Sequence, residues 1–277
     1  MTISIVGCGW LGLPFGEYLI EKGLKVKGST TTAKKLKVLE NKGIQPFLID
    51  LKSIVLNKIL NQEQLKNIDD FFHTDILYIN IPPGRRNPNV LNDYPKWIQF
   101  LIKKCEEFDI RKVIFVSSTG VYPNTNGIVT EAIKPEPQTD SQKSIVIAEQ
   151  LLQRNQHFET TILRPAGLVG GNRIAGRWFA GKQNIKGGNI PINLVHLDDC
   201  IGVSYAVIRQ DMFGKIFNIC ADEHPIKGKF YPLQAEKYGF EIPTFLMEQP
   251  KGFKIISNKL SKKILNYKYK RPNPMNF

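Results

Sequence analysis

The chain has 277 residues, enough to bury a large α/β core, and no apolar run in it approaches the roughly twenty residues a membrane-spanning helix needs. Its formal charge is +13, drawn from dispersed lysines and from Lys251 to Arg271, a stretch with no acidic residue; lacking the arginine-aromatic and recognition-helix features of a nucleic-acid module, this excess reads as solvated basic surface. The four cysteines (Cys8, Cys105, Cys200, Cys220) are scattered without metal-ligand spacing and read as reduced thiols, and the chain opens on a strand pattern rather than a secretory one, so the expectation is a cytoplasmic protein without metal.

Ile3 to Val6 predicts a strand, Gly7-Cys8-Gly9-Trp10-Leu11-Gly12 a glycine turn, the apolar spacing through Leu19 and Ile20 a helix, and Leu24 to Gly28 a second strand. A dinucleotide site requires this order. Gly7 permits the tight turn, Gly9 the approach of a pyrophosphate, and Gly12 close helix–strand packing, while the helix N-terminus points N–H groups at the phosphates. Next come a helix at Ala33–Asn41, a strand at Gln45–Ile49 ending on Asp50, and a polar helix around Gln62–Phe71. The fourth strand, Ile76–Asn80, stops at Ile81-Pro82-Pro83-Gly84; a helix at Tyr94–Phe108 leads to a fifth strand, Lys112–Val116. A loop, Ser117–Gln138, precedes a helix at Ser141–Arg154 and a strand at Thr160–Leu163. Gly167–Gly188 holds seven glycines and reads as irregular, with one helical piece near Arg177–Ala180. Leu194–His196 precedes a helix at Asp198–Arg209, Ile216–Ile219 is a last strand, and Pro232–Gly239 is helical. The alternation predicts an α/β fold, a Rossmann-type doubly wound parallel sheet.

Such sheets bind ligands at the carboxyl ends of their strands, here the glycine turn, Ser29–Thr31, Asp50, Pro82–Gly84, Ser117–Gly120 and Arg164–Gly167. At the end of the second strand no carboxylate is present to hold ribose hydroxyls. The hydroxyls of Ser29, Thr30 and Thr31, with Lys34 for charge, suit a 2′-phosphate, so NADP is expected over NAD; the alternative is that these threonines only cap the next helix.

Taken together and in order, the glycine turn, Asp50-Leu51, Val116-Ser117-Ser118-Thr119-Gly120-Val121-Tyr122, Leu163-Arg164-Pro165-Ala166-Gly167, Val195-His196-Leu197-Asp198-Asp199 and Phe217-Asn218-Ile219-Cys220 carry a resemblance. The chain resembles the extended short-chain dehydrogenase/reductase superfamily, in its NAD-dependent epimerase/dehydratase group, and most of all the atypical bacterial YeeZ-type members. The resemblance implies that Asp50 and Leu51 touch the adenine, that Ile81 and Pro82 line the cofactor ribose, and that Pro165 and Ala166 lie beside the nicotinamide. Trp10 and Leu11 fall within the cofactor turn, and Ser118 matches the catalytic serine or threonine. It also implies a small C-terminal substrate lobe, residues 167–193 and 221–277, beside a nucleotide-binding domain at 1–166 whose sheet is completed by about 194–220.

The resemblance breaks at the Tyr-x-x-x-Lys pair of fully active members, where alignment places Ser141 and Ile145. Lys143 is two residues from the lysine position, about 200° around the helix, and a serine hydroxyl is too weakly acidic to replace the tyrosine unaided. Tyr122 is either a second catalytic candidate or a packing aromatic. His196 with Asp198-Asp199 reads as a structural histidine beside a capping aspartate, or as an acid/base pair. Arg85 and Arg86 read as anion ligands or solvated loop, Asn172, Arg173 and Arg177 as substrate contacts, and Trp178-Phe179 as lobe packing or a ligand stack. Two functions follow. One is an NADP-dependent oxidoreductase or epimerase/dehydratase-like enzyme on a small polar metabolite, such as a nucleotide sugar, with altered proton transfer; the other is a catalytically inactive NADP-binding sensor or regulatory protein. Relatives often form homodimers through helices equivalent to Tyr94–Phe108 and Ser141–Arg154; these could equally bury their apolar faces within one chain.

Overall fold

The computed structural model describes residues 1–55, 61–84 and 87–277. In chain order the described elements are β1 (Thr2–Val6), α1 (Gly12–Glu21), β2 (Lys25–Thr30), α2 (Leu36–Asn41), β3 (Gln45–Leu48), α3 (Leu51–Val55), α4 (Gln62–Phe72), β4 (Ile76–Ile79), α5 (Val90–Glu107) and β5 (Lys112–Val116). There follow β6 (Gly127–Val129), α6 (Asp140–Arg154), β7 (Glu159–Pro165), β8 (Gly167–Val169), β9 (Leu194–His196), α7 (Leu197–Arg209), β10 (Ile216–Ile219), α8 (Lys227–Lys237), β11 (Lys254–Ile256) and α9 (Lys259–Ile264). Seven strands form one sheet in the order β10-β7-β5-β4-β1-β2-β3, a parallel Rossmann-type arrangement as expected. The strand order reverses between β1 and β4, which puts the glycine turn at the switch point where open sheets take ligands.

The chain gathers into two compact units. The first comprises Met1–Ser117, Pro137–Leu163 and Val207–Ile216. Its strands are buried on both faces, so they read as continuous apolar runs: all four residues of β4 are buried. Leu77, Ile79 and Phe115 of the sheet pack with Phe72 of α4, Leu101 of α5 and Leu152 of α6. Two of these helices begin with reciprocal caps. Asn61 and Gln64 open α4, and Thr139 and Gln142 open α6, each side chain satisfying a backbone N–H that the helix leaves without a partner.

The second unit comprises Ser118–Glu136, Arg164–Ala206 and Phe217–Phe277. It holds two small parallel pairings, β6 with β11 and β8 with β9. Its apolar centre joins Val169, Leu194 and Phe230 to an aromatic group in which Tyr231 meets Phe179 at 4.6 Å and stacks on Phe245 at 6.0 Å.

Several elements differ from expectation. α5 and α8 begin upstream of their predicted starts, at Val90 and Lys227, with Pro95 and Pro232 inside them; a proline reads as a first-turn residue, and the tertiary setting overrides that preference here. α3 was not foreseen; Asp50 starts it by accepting from the Lys52 N–H (3.1 Å) and the Ser53 hydroxyl (2.6 Å). The helical piece expected near Arg177–Ala180 is a single 3-10 turn at Ala175–Arg177, and β6, β8, β11 and α9 were also unforeseen. No described helix is long and apolar enough to cross a membrane.

Candidate functional site

In the first unit the glycine turn is fastened to the end of β2. The Gly7 N–H donates to the Ser29 hydroxyl (2.9 Å) and the Cys8 N–H to the Ser29 carbonyl (2.9 Å). Ser29 is buried, and its hydroxyl accepts within the turn while keeping an O–H to donate. Asn80, just past β4, donates from Nδ2 to the Gly7 carbonyl (3.2 Å). Gly7 has a φ of 95°, which favours glycine, and a Cβ on Gly12 would lie 2.3 Å from the Gly7 carbonyl oxygen. Gly9 differs from both. It is exposed, and an added Cβ would meet nothing within 4 Å. Three residues on, α1 begins with no capping side chain and no acidic residue in its first turn. First-turn N–H groups lack intrahelical partners and carry the positive end of the dipole, so the donor set fits a pyrophosphate.

Around this turn, the Thr30 hydroxyl accepts from the Thr32 N–H (3.2 Å), while Thr31 and Lys34 are exposed. Leu11 and Leu51 are buried, the Asp50 carboxylate caps α3, and the Ile81 carbonyl accepts from the Tyr94 hydroxyl (2.8 Å) with Pro82 exposed beside it. Burial pushes the Cys8 thiol up to about 12, so it is a packing group rather than a nucleophile. Arg85 and Arg86 lie outside the described residues. On α6, Lys143 pairs with Asp140 (3.1 Å), Ile145 packs against the apolar core of the first unit, and Ser117 donates to the buried Glu149 (2.5 Å).

In the second unit Ser118 opens a 3-10 turn, Thr119–Val121, its half-buried hydroxyl accepting from the Gly120 N–H (3.0 Å). Thr119 donates to the Pro165 carbonyl (3.3 Å), with Pro165 and Ala166 both buried. Tyr122 is 3% exposed, and its hydroxyl has two partners: it donates to Asn218 Oδ1 (2.9 Å) and accepts from Arg164 Nη1 (2.7 Å). The guanidinium also lies over the ring at 4.8 Å. Burial raises the Tyr122 pKa, against the lowering effect of Arg164, so the phenol is protonated and held. Glu131 accepts from the Asn218 N–H (2.8 Å), and Lys254 Nζ donates to the Tyr122 carbonyl (2.6 Å). Asn80, Glu131 and Lys254 had no motif to announce them, and Asn218 stood within the Phe217–Cys220 motif without an assigned role.

Elsewhere in this unit, His196 Nδ1 stands 3.2 Å from the Asp198 backbone nitrogen and 3.2 Å from an Asp198 carboxylate oxygen, and burial lowers the pKa of the ring. Asp199 accepts from the Tyr267 hydroxyl (2.9 Å) and from the N–H groups of Lys270 (2.7 Å) and Arg271 (2.9 Å), pinning the C-terminal segment. Asn172, Arg173 and Arg177 are exposed, with the Arg177 guanidinium 5.3 Å over the Phe240 ring. Phe179 packs in the aromatic group, and Trp178 is 41% exposed at its edge. Among the described residues no group of three or more His, Cys, Asp or Glu side chains is placed to hold a metal ion.

No protein-family model matches the chain. Protein YeeZ of Escherichia coli (strain K12) is 34% identical over 275 residues, covering 99% of this chain and 97% of YeeZ. Among solved structures, UDP-glucuronic acid 4-epimerase from Bacillus cereus in complex with UDP-glucuronic acid and NAD has a TM-score of 0.78 at 19% identity, covering 100% of this chain and 96% of its own. A functionally unknown conserved protein from Silicibacter pomeroyi has a TM-score of 0.77 at 19% identity, covering 99% of this chain and 95% of its own. At those identities the likeness is one of fold.

Proposed function

The chain belongs to the extended short-chain dehydrogenase/reductase superfamily, with YeeZ among its relatives, and from that premise we propose that it binds NADP at the Gly7–Gly12 turn and acts as an oxidoreductase or epimerase/dehydratase-like enzyme on a small polar metabolite such as a nucleotide sugar. The observation that carries this reading is the open space beside Gly9, where its two neighbouring glycines are closely packed. The first turn of α1, with Trp10 and Leu11 at its start, holds the pyrophosphate. Asp50 and Leu51 meet the adenine, and Ile81 and Pro82 line the ribose. The hydroxyls of Ser29 and Thr30 each accept from a backbone N–H, which leaves their O–H groups, with Thr31 and Lys34, to meet the 2′-phosphate. Pro165 and Ala166 form the nicotinamide wall.

Bound NADP supplies hydride transfer. Ser118 supplies the contact to the reacting oxygen: its hydroxyl accepts from the Gly120 N–H, which leaves the O–H free to donate and makes it a stronger donor. Tyr122 spends its hydroxyl on Asn218 and Arg164, so it keeps the turn in place while Ser118 exchanges its proton with solvent. The Bacillus cereus relative holds a UDP-sugar and NAD, which supports a nucleotide sugar as the substrate class.

One observation favours the inactive sensor instead: Ile145, at the position of the family's lysine, packs partly buried against the apolar core. Two measurements separate the readings, dissociation constants for NADPH and NADH and a screen of sugar nucleotides and small carbonyl compounds for NADPH oxidation. The expected result is tighter NADPH binding, with turnover on one class that Ser118→Ala abolishes. Equal or tighter NADH binding sinks the NADP preference, and tight NADPH binding with no turnover on any class leaves the sensor.

A further inference from the structure

The turn that begins at Ser118 is backed by a cation, Lys254, that meets no counter-ion among the described residues. Lys254 is the first residue of β11, in register with Gly127 of β6. Asn193 fixes that strand twice, donating from Nδ2 to the Lys254 carbonyl (2.9 Å) and accepting at Oδ1 from the Ile256 N–H (2.8 Å). Asn126 adds a reciprocal pair with Phe253: its N–H donates to the Phe253 carbonyl (2.8 Å), and its Oδ1 accepts from the Phe253 N–H (3.1 Å). The backbone is thus set, and the half-buried side chain brings Nζ to 2.6 Å from the Tyr122 carbonyl. Among the described residues no carboxylate lies within 4.0 Å of that nitrogen.

An ammonium has three N–H donors, and the Tyr122 carbonyl takes one. A second cation stands at the far end of Tyr122, where Arg164 is 2% exposed. Glu131 is a carboxylate that acts on both Arg164 and Tyr122, and burial raises its own pKa. Asn218 is fully buried and its Nδ2 has no hydrogen-bond partner. Among the described residues, two N–H donors of Lys254 and the amide group of Asn218 therefore meet no protein acceptor. Buried charge of one sign is costly unless a partner of the other sign meets it. A lysine suits a partner that arrives with the ligand, because its rotatable donors accept an oxyanion in many orientations.

We propose that Lys254 receives an oxyanion of the substrate, a carboxylate or a phosphate group, beside the Tyr122 carbonyl at the end of the Ser118 turn. This rests on the reading of Ser118 as the residue that contacts substrate. Burial lowers the amine's pKa, and an oxyanion beside it would raise it again.

The test titrates the full chain, with and without NADP, using glucuronate as a carboxylate probe, inorganic phosphate and UDP as phosphate probes, and glucose as the uncharged control. Calorimetry should find an oxyanion that binds while glucose does not. Lys254→Met should weaken that binding about ten- to hundredfold, as expected for loss of a hydrogen bond from a charged group, and Lys254→Arg should weaken it less. Which probe responds tells a carboxylate ligand from a phosphate one. Should Lys254→Met fail to fold, nuclear magnetic resonance of the dimethylated lysines in the otherwise unaltered chain decides: a Lys254 signal that moves on adding the bound probe supports the proposal, and an unmoved one overturns it. Equal binding by wild type and Lys254→Met, or no oxyanion binding in a chain that binds NADPH, also overturns it. Failure of the wild type to bind NADPH, with oxyanion binding intact and dependent on Lys254, overturns the cofactor reading alone.

Discussion

Three glycines within six residues answer to different neighbours, and substitution separates them. A methyl group on Gly12 runs into the Gly7 carbonyl at 2.3 Å, a backbone atom that moves only with the turn. Gly12→Ala should therefore destabilise the protein by about 1–3 kcal/mol, as overpacking does, and lose NADPH as well. Gly9→Ala adds its methyl to open space, so its urea midpoint should match the wild type while NADPH affinity falls more than about tenfold through lost charge-assisted hydrogen bonds. A Gly9→Ala protein that binds NADPH normally would remove the pyrophosphate from this turn. The glycine spacing made the turn legible because its chemistry is local. The tie between Gly7 and Ser29 was not legible, since a side chain 22 positions away reaches back to it; nor was the group at Tyr122, where Asn218 lies 96 residues on and Lys254 lies 132 residues on.

At the scale of elements, the strands of the sheet were plain in the sequence because burial on both faces makes them unbroken apolar runs, as in β4 and β5. The three-residue strands β6, β8 and β11 are too short to show a period, and each is defined by a partner far along the chain. Helix α6 was legible at its start, where Thr139 and Gln142 form a reciprocal cap. That cap gives a direct prediction. Thr139→Ala leaves the Gln142 N–H without its acceptor (3.3 Å) and should cost about 0.5–2 kcal/mol in urea unfolding, with Thr139→Ser recovering most of it. No loss in Thr139→Ala would mean that tertiary packing alone holds the start of α6.

At the scale of the molecule, stability should respond to acid through two histidines of the second unit. Burial depresses both His196 and His224, the latter with its Nδ1 buried and unpartnered. A histidine whose pKa is lower folded than unfolded stabilises fully above its unfolded value, about 6.5, and that contribution is lost as pH falls through the folded value. The urea midpoint should thus fall as pH is taken from 7.5 to 5, and His224→Gln should flatten the fall; an equal slope in the variant would assign the acid sensitivity elsewhere. Glu131 and Asp199, pushed up by burial, act in the opposite sense at lower pH, so they do not produce this fall.

The chain passes between its two compact units five times, at residues 117/118, 136/137, 163/164, 206/207 and 216/217. No single crossover in a gene can therefore exchange or delete one unit while keeping the other whole. A truncation long enough to remove either unit whole takes segments of the other with it, and grafting a relative's second unit would need matched joints at every passage. A change in what such a chain binds is therefore made by substitution at single residues more readily than by exchange of a whole unit.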